Sequence, residues 1–90
     1  MVIAVYFHPT SLSTRQYDEA IKALDDAGAG HPAERVHHFC FGPSTDLMIY
    51  EVWDSQQAFE EYGKALLPIL QKAGIDPGTP DIMPVHNMTA

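Results

Sequence analysis

One cysteine, one tryptophan and five basic side chains are all that this 90-residue chain has of those types. Each scarcity excludes something. Cys40, the single cysteine, cannot close an internal disulfide, so the fold does not depend on an oxidising compartment. Five Lys/Arg against twelve Asp/Glu give a formal net charge of −7. The few basic residues are scattered, which leaves no cationic footprint for nucleic acid or an anionic membrane surface. No apolar run approaches the ~20 residues of a membrane-spanning helix. The opening "MVIAVYFHP" has neither the basic region nor the cleavage pattern of a signal peptide, so a cytoplasmic location is expected. Repeats and low-complexity tracts are absent as well.

What is present is ordinary globular material. Hydrophobic residues make up 46% of the chain, enough to order one small domain spanning 1–90. "VIAVYF" (2–7) is a short run of β-branched and aromatic residues ended by Pro9, and reads as a strand. Ser13 with Gln16 forms a capping box, and Leu12 with Tyr17 a hydrophobic staple. Tyr17, Ala20, Ile21 and Leu24 then share one helical face, and Gly28, Gly30 and Pro32 end the helix. "ERVHHFCFG" (34–42) and "LMIYEVW" (47–53) are strands joined by the turn-forming "GPSTD". A second helix is expected from a capping box at Asp54 and Gln57 to Gly74, kinked or divided at Pro68. "DIMPVHNM" (81–88) is a last strand, which Pro84 assigns to a sheet edge or a bulge. The order β-α-β-β-α-β predicts an α+β, ferredoxin-like domain, with a four-stranded antiparallel sheet and both helices on one face.

Two helices cover only one face of such a sheet, and the other should be polar if it meets water. Here both alternation sets are largely apolar. The first strand offers Ile3, Val5 and Phe7, or Val2, Ala4, Tyr6 and His8; the third offers Met48, Tyr50 and Val52, or Leu47, Ile49, Glu51 and Trp53. An uncovered apolar face predicts a partner, most simply a second copy packed sheet to sheet. A pocket between the sheets would be lined by the set containing polar groups: Tyr6, His8, His38, Glu51, Trp53 and His86, with Ile49 as apolar wall. In "VHHF" the adjacent histidines point to opposite faces, and His38 is taken as the inward one.

The element order, "EVWDSQQAFEEY" running from strand to helix, "LLPILQKAGI" with its proline and the closing "PVHNM" resemble the dimeric α/β-barrel superfamily over about residues 2–88. That superfamily includes antibiotic biosynthesis monooxygenase-like proteins, haem-degrading monooxygenases, small isomerases and stress-responsive barrel proteins. The resemblance implies a homodimer and a cofactor-independent monooxygenase acting on a small aromatic or quinol-type molecule. In that reading His38 or His86 removes a proton, Glu51 orients the histidine, and Tyr6, His8, Ile49 and Trp53 hold the substrate. The alternative it leaves open is a small-molecule-binding or stress-related barrel protein without turnover. Histidines and a carboxylate are also the ingredients of a two-His-one-carboxylate iron site. No H-x-x-x-H spacing is present, so neither metal nor cofactor is expected.

Overall fold

A computed structural model describes residues 1–89. Its elements are β1 (Ile3–Phe7), α1 (Thr14–Asp26), β2 (Arg35–Phe41), β3 (Met48–Trp53), α2 (Gln56–Lys72) and β4 (Asp81–Pro84). They form an antiparallel sheet in the order β2-β3-β1-β4. This is the expected ferredoxin-like arrangement.

Local chemistry sets the element ends. Ser13 caps α1, accepting from the Gln16 amide at 3.1 Å, while the Gln16 side chain returns to the Ser13 amide at 3.1 Å. The cap of α2 is Ser55, not Asp54, and it accepts from the Ala58 amide. α2 runs through Pro68 as one helix rather than two. A proline nitrogen removes one amide donor, and the apolar face on either side outweighs that loss. β4 stops at Pro84, four residues before the expected end, and is an edge strand, where a missing donor is tolerated.

The core lies between the helices and one sheet face. Ile3, Val5, Phe7, Ile49 and Trp53 of the sheet meet Ala20, Leu24, Tyr62 and Leu70 of the helices, all buried. A side chain so enclosed contributes about 1.5–3 kcal/mol. Register decides which residues share this face. Ile3 pairs with Trp53, Val5 with Glu51 and Phe7 with Ile49, whereas Tyr6 pairs with Tyr50. Glu51 and Trp53 therefore point toward the helices. The expectation that Glu51 shares a face with Tyr6 and looks away from the helix-packed core is overturned.

β2 carries an irregularity between Arg35 and His37. Arg35 stands opposite Trp53, and His37 opposite Val52. One extra residue, Val36, is accommodated there as a bulge. Arg35 and His38 thus face the same side although they are three apart. The helix-free face presents Phe39, Phe41, Tyr50 and Met83 as exposed large apolar side chains. Near the chain's end, Met88 and Thr89 lie over this face, enclosing about 420 Å³ with His37, Phe39, Tyr50 and Val52.

Candidate functional site

The polar centre of the molecule is Glu51, a carboxylate 2% exposed in the middle of β3. A buried charge persists only when it is paired and hydrogen-bonded. Glu51 has three donors. Trp53 Nε1–H donates to Oε1 at 2.9 Å from two positions along the same strand face. His38 Nδ1, directly opposite on β2, lies 2.5 Å from Oε2. Arg35 Nη1 approaches the same oxygen at 3.4 Å. The indole beside the carboxylate is thus one of its ligands.

Arg35 is fixed in turn. Nη2 donates to the Gly30 carbonyl at 3.1 Å, Nη1 lies 3.5 Å from the Tyr62 hydroxyl, and the guanidinium sits 5.6 Å from that ring's centroid. Its side chain is 12% exposed, whereas the other four basic residues are exposed. Trp53 packs on Tyr62 with centroids 5.1 Å apart and edge-on to Phe59 at 5.8 Å.

The second nitrogen of His38 is also engaged. Tyr17, in the first turns of α1, places its hydroxyl 2.6 Å from Nε2. The two rings lie nearly parallel, 15° apart, with centroids 6.0 Å apart. Glu51 ionised is an acceptor only, so Nδ1 carries a proton. A neutral His38 then satisfies every contact in one tautomer: Tyr17 donates to Nε2, and Nδ1–H donates to Glu51. Burial, reinforced by Cys40, Glu51 and Tyr62 and opposed by Arg35, pushes the Tyr17 phenol up to about 12. Tyr17 therefore stays protonated at neutral pH. Tyr62 is raised by burial, against the opposing Arg35, and Cys40 by burial and by Asp18. A raised Cys40 thiol is a poor nucleophile.

The result is a chain of hydrogen bonds, Tyr17–His38–Glu51, stiffened by Trp53 and Arg35. Chemically it is a base with its tautomer fixed and its cation stabilised by a buried carboxylate. A cavity of about 360 Å³ adjoins the cluster beyond Trp53 and Tyr62, walled by Ala29, Ala58 and Ala65 with His31 and Glu34 among its other lining residues.

Of the residues expected at the site, His38, Glu51, Trp53 and Ile49 come together on the helix-facing side. Tyr6 lies on the opposite face because it pairs with Tyr50. His8 falls just beyond β1, exposed, with Nε2 2.9 Å from Asp46 Oδ1 in the β2–β3 turn. His86 is exposed and beyond the end of β4. Sequence reasoning missed Arg35, Tyr17 and Tyr62. The available signal was a single arginine opening a strand in a chain poor in basic residues. Among the described residues, no group of three or more His, Cys, Asp or Glu is placed to hold a metal ion. No described helix is long and apolar enough to cross a membrane.

No family model and no curated protein matches the sequence. Solved structures do match the fold. SnoaB, a cofactor-independent oxygenase from Streptomyces nogalater, is 13% identical, with a TM-score of 0.68 over 97% of this chain and 95% of its own. A candidate antibiotic biosynthesis monooxygenase from Chloroflexus aurantiacus is 16% identical, with a TM-score of 0.61 over 97% of each chain. Rv0793 from Mycobacterium tuberculosis is 10% identical, with a TM-score of 0.62 over 99% of this chain and 97% of its own. The fold is that of the antibiotic biosynthesis monooxygenase-like proteins, as the sequence resemblance implied.

Proposed function

We propose that this chain is a cofactor-independent monooxygenase acting on a small aromatic or quinol-type molecule, with His38 as the base. The observation that carries the reading is the 2.5 Å contact between His38 Nδ1 and the buried Glu51. That contact leaves Nε2 as the atom that receives a proton and stabilises the imidazolium that results. General base help of this kind contributes about 10²–10⁴ in rate. The substrate anion supplies the electrons that reduce oxygen: one oxygen atom enters the product and the other leaves as water. Glu51 holds the charge of the protonated base, and Arg35 and Trp53 hold Glu51. The similarity of fold to SnoaB supports this chemistry over others.

The working form in this proposal is a homodimer. Phe39, Phe41, Tyr50 and Met83 give the helix-free face the apolar surface that a second copy would cover.

Oxygen uptake with a panel of hydroquinones and anthrones tests the activity. Uptake that falls about 10²-fold or more in His38→Ala and in Glu51→Gln supports it. Ligand binding without uptake would replace it with the reading of a binding protein.

A further inference from the structure

The atom that must accept the substrate's proton is already occupied. Tyr17 holds His38 Nε2 at 2.6 Å with its ring laid nearly parallel to the imidazole. A phenol on a carboxylate-backed histidine is the same contact that the proposed reaction requires of its substrate. The molecule thus contains an internal example of its own substrate complex.

Accepting His38 as the base, we infer that Tyr17 stands in the place of the substrate's hydroxyl, and that the site takes hydroxyls conjugated with a carbonyl group, which displace it. Two arguments carry this. The first is geometric. A neutral imidazole nitrogen has one lone pair, and a second hydroxyl cannot share it at hydrogen-bond distance. Tyr17 must therefore turn away before any substrate is deprotonated, and its ring leaves a slot shaped for another aromatic hydroxyl.

The second argument is electrostatic. An entering hydroxyl meets the surroundings that Tyr17 now meets: Cys40 and Arg35 on β2, Glu51 on β3, Tyr62 on α2, and Asp18 near Cys40. Those surroundings raise a phenol from 10.0 to about 12, so a simple phenol there stays neutral, as Tyr17 does. It exchanges with Tyr17 and goes no further. A hydroxyl conjugated with a carbonyl starts more acidic. Its anion also spreads charge onto the carbonyl oxygen, away from Glu51. In the step itself the substrate O–H bond breaks and an Nε2–H bond forms, while Tyr17 keeps its own proton. Substrate choice is then a matter of acidity as well as shape.

The test is binding of para-cresol, para-chlorophenol and para-hydroxybenzaldehyde to the full chain at about pH 10, the ordinary tyrosine value. Absorbance reports whether the bound phenol is ionised. The cresol should bind neutral and the aldehyde as its anion, with the crossover at phenols about 100-fold more acidic than tyrosine. Tyr17→Ala should tighten binding about tenfold by vacating Nε2. Tyr17→Phe, which keeps the ring and drops the hydroxyl, should tighten it by a smaller factor and guards against misfolding. Unchanged or weaker binding in both variants overturns the displacement, and ionised cresol overturns the selection by acidity. Phenol ionisation that depends on His38, without oxygen uptake from any carbonyl-conjugated hydroxyl, defeats the monooxygenase reading and leaves this one standing. Uptake from ordinary quinols alone does the opposite.

Discussion

Arg35 and His38, three residues apart on one strand, reach the same oxygen of Glu51, at 3.4 and 2.5 Å. A regular strand would send them to opposite faces. The bulge at Val36 supplies the extra residue that turns both inward. Deleting Val36 should restore a regular strand in which Arg35 and His38, now two apart, both still face Glu51, whereas Arg35→Met removes the guanidinium itself. The expected result is a loss of about 3 kcal/mol in urea unfolding for Arg35→Met and a smaller loss for the deletion. A deletion as costly as Arg35→Met would mean that the bulge itself is needed to seat the ion pair.

Glu51→Gln keeps the shape and removes the charge. It leaves Arg35 buried without its counter-ion, and the loss should be about 3 kcal/mol. Tryptophan fluorescence should change with it, because Trp53 Nε1 donates to this carboxylate. A variant as stable as the parent chain would show that the pair contributes nothing net.

Tyr17 and Tyr62 both have raised folded values, led by burial. Above about pH 10 the unfolded chain gives up these protons and the folded chain does not. Their contribution is therefore complete below pH 10 and lost as pH rises toward the folded value of about 12 for Tyr17. Thermal unfolding across that interval should fall less steeply in Tyr17→Phe. An identical slope would place the Tyr17 phenol in water.

The order of elements was legible in the sequence because periodicity, caps and breakers agree with one another along the chain. The face of the sheet was not. Ile3, Val5 and Phe7 read no more apolar than Ala4, Tyr6, Tyr50 and Val52, so composition gave no preference between them. Glu51 then argued for the wetter side, which assumes that a carboxylate lacks internal donors. The donors come from a bulged strand and from an indole two residues on, and pattern reading anticipates neither. Tyr17 was legible as a hydrophobic staple, and its hydroxyl had no visible partner until β2 was placed against α1.

Phe39 is 53% exposed on the helix-free face, against Tyr50 with ring centroids 6.2 Å apart. If a second copy covers this face, Phe39→Glu puts a charge into the interface. Sedimentation at micromolar concentration should then show a dimer for the parent chain and a monomer for the variant. A monomeric parent chain would end the dimer proposal and leave the His38 site, which is built within one chain, intact.

Gly42 ends β2 at φ +110°, where an added Cβ would lie 2.7 Å from the Met48 methyl. Gly42→Ala should cost about 1 kcal/mol or more, read from the unfolding midpoint. No loss would mean that the turn relaxes into another form.

The paired hydrogen bonds between Ser13 and Gln16 pin the backbone of α1 immediately before Tyr17. A helix start held this firmly does not fray to release its aromatic residue. The half-buried phenol can leave the imidazole only by turning about its own side-chain bonds within that packing. In the proposed displacement, a competing hydroxyl then waits on a rotamer of a packed ring and not on the melting of a helix.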